Sequence, residues 1–375
     1  MSPSLRFPEF NGEWVLNEMW NIAPLQRGFD LPSGNVLDGT IPVVYSNGIL
    51  RYHNDYKCKA PAVITGRSGT IGKFTYLDKG YYWPHNTTLW VTDFCHNNPK
   101  FIYYLYQTIN ISQFATGSGV PTLNRNDVHR HRCYLPKSID EQRKIAAFLS
   151  LIDERIAVQN RLIDRLQSLM IGLNNSLYEQ YGNDITTSFM ELGYSYSGLS
   201  GKSAKDFGSG KPFITYLNVY SNIIVDETDY QYVRINDGEK QNIVRTGDVL
   251  FTLSSETPEE VGIGSVYLGE KEVYLNSFCF GIHIERNQLA YSPYLSYYVT
   301  STAFRKFIYP FAQGSTRFNL CKADFEKASI KLPSLDNQKR ISAMLDCIAE
   351  KIQAEKAILE YYNIQRQYLL RQMFI

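Results

Sequence analysis

A chain of 375 residues with 44% hydrophobic and 14% aromatic content has material for two ordinary domains and is too apolar to be disordered. A net charge of +1 sets it apart from strongly basic nucleic-acid binders, so any DNA surface must come from charge segregated within a domain. No apolar run approaches the roughly 18 residues a membrane span needs, and the opening MSPSLRFPEF lacks the apolar core of a signal peptide.

Cysteines 58, 95, 133, 279, 321 and 347 are scattered without a CxxC pair, as expected of reduced thiols in a cytoplasmic protein. His129, His131 and Cys133 share one short basic segment with no distant partner group, so no metal is expected there. By segment the charge is +3 over residues 1–140, 0 over 141–183, −3 over 184–335 and +1 over 336–375.

In chain order, VVYS, AVITG, KFTYL and TLWVT read as strands punctuated by Gly, Asn and Asp, and PKFIYYLYQTI (99–109) reads as a helix. The segment NRNDVHRHR (124–132) reads as a short polar loop. Its Arg125, His129, Arg130 and Arg132 are candidate DNA contacts, Arg being suited to phosphate and to guanine edges. After Leu135-Pro136, the residues Ser138, Ile139, Asp140 and Glu141 fit a capping box that opens a long helix. Ile145, Leu149, Ile152, Ile156, Gln159, Ile163, Leu166, Met170, Leu173 and Leu177 then follow at spacings alternating 4 and 3, a heptad seam that Gly182 ends. Such a helix of roughly 38 residues is about 57 Å long, which suits a paired rod better than a compact core.

A second copy follows. FITYL, DVLFTL, VYLGEKEVYL and FGIHIE read as strands, and PYLSYYVTSTAFRKFI (293–308) as helix. Lys202, Lys205 and Lys211 in a Gly/Ser-rich segment, then Arg317, Asn319 and Lys322, are the matching DNA-contact candidates. The helix entrance LPSLDNQKRISAMLDCIAEKI (332–352) repeats LPKSIDEQRKIAAFLSLIDERI (135–156). Adding 196 to the first seam yields Ile341, Leu345, Ile348, Ile352, Glu355, Leu359, Tyr362, Arg366, Leu369 and Met373. The polar breaks Gln159 and Glu355 fall on equivalent positions. Upstream, ATGSGVPTLNRNDV (115–128) matches AQGSTRFNLCKADF (312–325), residues 61–77 parallel 247–268, and residues 38–49 parallel 208–219.

The chain is therefore one unit written twice, about 140 residues of α+β sequence followed by a long helix. The expected segments are 1–137 and 184–334 for the domains, and 138–183 and 335–375 for the helices. The high effective concentration of two compatible seams in one chain favours pairing them with each other. Pairing them antiparallel sets Ile145 against Met373 and Leu177 against Ile341, and relates the two copies by a pseudo-two-fold axis.

These features resemble the specificity subunits of type I restriction-modification systems over nearly the full length. The resemblance rests on LRFPEFNGEW, on GSGVPTLNRNDV, and on the entrance LP…D-x-Q-[RK]-x-I-x-x-x-L written twice. It implies two target recognition domains on an antiparallel coiled coil, double-stranded DNA read at a bipartite asymmetric site, and two bound methylation subunits that recruit restriction subunits. It also implies that S-adenosylmethionine, ATP and magnesium belong to those partners, and that this chain has no catalytic residue. The second entrance departs by one missing residue and by Asn337 in the place of Glu141.

Fragments that imitate catalytic loops agree with a non-catalytic reading. SGKS (200–203) ends like a phosphate-binding loop, but Tyr196 stands where that loop needs glycine. FATGSG (114–119) meets Pro121 rather than a helix N-terminus, and Asn98-Pro99-Lys100 lacks the second proline and aromatic of an amino-methyltransferase site. A coiled-coil interaction protein with two ligand-binding lobes and no DNA role is the competing reading.

Overall fold

The computed structural model describes residues 1–117 and 119–375; Ser118, in the sequence GSGVPTL, lies outside them. Two compact units emerge, Met1–Arg161 with Ala357–Ile375, and Leu162–Lys356. Each takes in one globular domain and part of both long helices, Ile139–Tyr181 and Leu335–Met373. The boundaries between the units fall within the two long helices. A seam buries its apolar face only against a neighbour, so each half-helix joins the core that covers it.

In unit 1 a four-stranded antiparallel sheet runs in the order Leu25–Arg27, Thr88–Val91, Ala62–Gly66, Phe74–Leu77. A second sheet runs Gly48–His53, Ile41–Tyr45, Tyr81–Pro84, Cys58–Lys59, with a parallel step between its central strands. Ala62–Gly66 is buried throughout, its one polar side chain, Thr65, donating to Lys73 O at 3.1 Å. The helix Pro99–Thr108 starts at Asn98, whose side chain accepts from the Phe101 N–H, and proline supplies the preset first turn.

Unit 2 repeats this plan. Its four-stranded sheet is Gly193–Ser197, Cys279–Ile284, Val249–Thr252, Gly264–Val266; beside it lie Tyr230–Val233, Phe207–Ile214 and Tyr274–Leu275, the last pair parallel. VYLGEKEVYL, expected as one strand, divides between these two sheets. The stretch 293–308, expected as one helix, is two, Ser292–Tyr298 and Thr302–Ile308. The Ser301 hydroxyl accepts from Phe304 N–H at 3.1 Å and starts the second.

The segment 124–132 is not a loop. Asn124 caps a short helix, Arg125–Arg130, with Asp127 in its first turn, and the strand Arg132–Leu135 follows. The paired strands Ala115–Thr116 and Thr122–Leu123 precede that helix, and the same hairpin-then-helix recurs in unit 2 as Ala312–Gln313, Phe318–Leu320 and Lys322–Lys327. The capping box also forms only in part. Ser138 Oγ accepts from Glu141 N–H at 3.3 Å, but the Glu141 carboxylate turns to Arg6 at 2.7 and 2.9 Å and to Trp14 Nε1 at 3.1 Å. A buried carboxylate takes an arginine and an indole in preference to a single amide.

The two long helices pack antiparallel. In unit 1, Ile145, Leu149 and Ile152 share a core with Leu369, Leu370 and Met373, and Arg366 pairs with Asp153 at 2.5 Å. In unit 2, Met170, Leu173 and Leu177 pack on the core that holds Ile341 and Leu345. Along the seam Ile145, Leu149, Ile152, Gln159, Ile163, Ile341, Leu345, Ile352 and Glu355 are buried, while Ile156, Leu166, Ile348 and Leu359 are half-buried. The polar breaks are as hidden as the apolar positions, and Lys351 lies 2.6 Å from the Glu355 carboxylate.

Candidate nucleic-acid interface

Each unit has a cleft beside the edge strand of its four-stranded sheet. In unit 1, Leu25–Arg27 is that edge, the turn after Ala62–Gly66 supplies Arg67, and the hairpin ends in Asn124 and Arg125. Leu123 N–H donates to Arg67 O at 2.7 Å, which ties hairpin to turn. The resulting cleft of about 390 Å³ is lined by Arg27, Arg67, Thr116, Thr122, Asn124 and Arg125 around Leu89 and Leu123. Arg27 has Asp30 at 3.4 Å, whereas Arg67 and Arg125 carry no ion pair among the described residues. Uncompensated guanidinium groups in a concave wall focus positive potential, which suits a phosphate backbone.

The unit 2 cleft, about 630 Å³, occupies the corresponding place. Its edge strand is Gly193–Ser197, and Lys322, the first residue of the helix after the hairpin, stands where Arg125 stands. Tyr194, Ser195, Tyr196, Ser197, Gln241, Asn242, Ile243, Arg245 and His283 complete the lining. Side-chain amides, hydroxyls and an imidazole predominate over guanidinium here. The two clefts share scaffold and position and differ in chemistry.

The sequence candidates separate accordingly. Arg125 and Lys322 line the clefts. Arg130 is 79% exposed with Asp127 at 3.5 Å, and Arg132 has Glu18 at 3.7 Å, both positions from which long-range attraction remains available. His129 is already bonded within the domain. It is buried, its Nε2 accepts from Leu25 N–H at 2.9 Å, and burial, then the Arg125 charge, holds its pKa down. This imidazole seats the edge strand that carries Arg27. Lys202 is likewise engaged, 5% exposed, donating to Arg234 O and to Glu239 at 2.6 Å. An ammonium so enclosed ties together the segments of Arg234 and Glu239.

Lys205 and Lys211 are exposed but line neither cleft, Arg317 lies over the Phe278 ring at 5.9 Å, and Asn319 is exposed within the hairpin, its backbone opposite Ser254. Tyr216, the tyrosine singled out for DNA, donates to Ser254 O at 2.8 Å. The cleft residues that sequence reading missed are Arg27, Arg67, Gln241, Asn242, Arg245 and His283. Only Arg67, in the glycine-flanked turn GRSG, carried a local signal.

The sequence profile of the type I restriction modification DNA specificity domain matches residues 16–168 and again 199–361. The chain belongs to that family. The first matched segment contains the whole lining of the unit 1 cleft, and the second contains that of the unit 2 cleft apart from the edge-strand residues 194–197. The specificity subunit of the type I restriction enzyme StySPI from Salmonella potsdam is 27% identical over 150 residues, 40% of this chain and 32% of that one. The EcoKI specificity subunit of Escherichia coli K12 is 26% identical over 149 residues, again 40% and 32%. The chain spans about half or less of the curated relatives it matches. The fold is that of the crystal structure of a type I restriction-modification S subunit from M. genitalium, with TM-score 0.59, 16% identity, and coverage of 100% of this chain and 99% of that one. Among the described residues no helix is long and apolar enough to cross a membrane.

Proposed function

We propose that this specificity-family chain is the DNA-reading, non-catalytic subunit of a type I restriction-modification complex, and that each unit reads one half of a bipartite, asymmetric site. The observation that carries the reading is the pair of clefts, equivalent in position and unlike in lining. Equivalent placement on a duplicated scaffold suits two modules on one duplex, and unlike linings suit two different half-sites.

The long helices would hold the methylation subunits, with restriction subunits joining through them. Solvent-facing apolar residues support this. In unit 1, Tyr361, Ile364 and Tyr368 form an exposed stripe on one helix, while Leu151 and Val158 are exposed on the other. Such residues away from the seam suit a protein interface. S-adenosylmethionine, ATP and magnesium would then act on the partner subunits.

Exchange of residues 1–135 for the equivalent domain of a related specificity subunit tests the reading. Mapping of methylated sites made by the assembled complex should show one half-site changed and the other retained. A change in both halves, or in neither, overturns it.

A further inference from the structure

The floor of the unit 2 cleft holds a chain of buried polar bonds. Asp248 Oδ2 accepts from the Tyr196 hydroxyl at 2.7 Å and from the Arg245 backbone N–H at 2.8 Å, and Oδ1 lies 2.7 Å from His283 Nδ1. Asp248, Tyr196 and His283 are 2%, 6% and 7% exposed. The Tyr196 ring stacks on the imidazole at 4.2 Å, and Tyr194 meets it in a T-shape at 4.8 Å. Two tyrosines and a carboxylate therefore fix the position and the rotation of this ring. His283 nevertheless lines the cleft, and among the described residues no protein group bonds its Nε2.

The bonds also choose the tautomer. Burial pushes the Asp248 carboxyl up, while the Arg245 N–H, the Tyr196 hydroxyl and His283 favour its ionised form. As a carboxylate it only accepts, so Nδ1 carries the proton that bonds it. In the neutral ring Nε2 is then the acceptor that this cleft residue has to offer. In the major groove the exocyclic amino groups of adenine and cytosine donate, whereas thymine O4 and guanine O6 and N7 accept.

We propose that His283 is a base-reading residue of the second unit, selecting an exocyclic amino group, adenine N6 or cytosine N4, and that Asp248 is its positioning residue. The inference rests on the DNA-reading function proposed above and assigns to that cleft the hydrogen-bonding class it takes.

Asp248→Asn makes the test sharp. The fixed Arg245 N–H and the Tyr196 hydroxyl point at the Oδ2 position, so the amide oxygen must occupy it and the NH₂ must face Nδ1. That NH₂ donates to Nδ1, the ring takes the other tautomer, and Nε2–H becomes a donor, a reversal of the kind an Asp-to-Asn change produces in a hydrolase triad. The full chain, assembled with its methylation subunit, is assayed on a randomised DNA pool at about pH 8, above the ordinary histidine range. The sequences methylated are then read for wild type, Asp248→Asn, His283→Ala and His283→Gln.

At one position of one half-site, Asp248→Asn should shift preference from adenine or cytosine toward guanine or thymine by about tenfold. His283→Ala should lose preference at that position alone. His283→Gln, whose amide oxygen can replace Nε2, should restore it. Unchanged preferences in all three variants, or a uniform loss at every position of both halves, overturn the inference. If the wild-type complex itself selects no bipartite sequence, the DNA-reading function fails and the inference with it.

Discussion

Gln142 and Gln338, 196 positions apart, make equivalent sets of bonds in the two units. Gln142 accepts from Asn98 N–H at 2.8 Å and donates to Asn97 Oδ1 and Pro136 O at 2.8 and 3.1 Å. Gln338 accepts from Tyr291 N–H at 2.8 Å and donates to Leu289 O and Pro333 O at 2.8 and 2.9 Å. Each buried amide thus ties the start of a long helix to its domain, at the entry of the domain's own helix. The glutamine of the repeated entrance is a fastening, and a carboxylate could not replace it, since it would lose both donors.

Gln142→Ala and Gln338→Ala should each destabilise the chain by about 1–3 kcal/mol, because buried donors and acceptors are left without partners. The two share no bonding partner, so the double variant should show the sum. Denaturant midpoints of the three variants check this; a strongly sub-additive double would refute independent fastenings.

Charge in the unit 1 cleft should act on all sequences alike. Arg125→Ala is expected to weaken DNA binding by the assembled complex irrespective of sequence and to lower the salt slope by about 1. His129→Ala should lower the melting temperature instead, since its ring holds the edge strand. Binding measured across a salt series separates the two outcomes.

The Lys202–Glu239 pair should give acid sensitivity. The Lys202 ammonium first, then the Asn236 N–H and the Gln241 amide, hold the Glu239 carboxyl down to about 2. A folded pKa below the unfolded value means the contribution is present above the ordinary glutamate range, near 4.3, and is lost as pH falls toward 2. In Glu239→Gln, melting temperature should be lower at neutral pH and should fall less between those limits. A wild-type and variant difference that stays constant across that window would remove Glu239 from the account.

The antiparallel seam predicts specific cross-links. Cysteines at 145 and 373 share the unit 1 core, and cysteines at 177 and 341 both pack on that of unit 2. Each pair should form an intrachain disulfide under mild oxidation, read as a mobility shift that persists at high dilution. Loss of the shift on dilution would mean that the seams join different chains.

The sequence alone determined the duplication, the long helices with their seam residues, and the family. These follow from local chemistry: heptad spacing, a glycine stop after Tyr181, and an entrance motif that recurs whole. Helix and strand types were legible wherever the period was clean, as in AVITG and PKFIYYLYQTI. The bonding of side chains near basic runs was not. His129 and Lys202 read as DNA contacts, and the structure shows them bonded to the edge strand at Leu25 and to the carboxylate of Glu239. Those partners lie 104 and 37 positions away in the chain. The clefts are likewise a product of tertiary structure. Arg27, Arg67 and Arg125 meet because a strand edge, a turn and a helix start converge, and His283 becomes a cleft residue because Asp248 and Tyr196 hold it. Residue type and spacing set what each segment becomes, but only the folded neighbours decide which polar atoms remain unpaired and so can read a ligand.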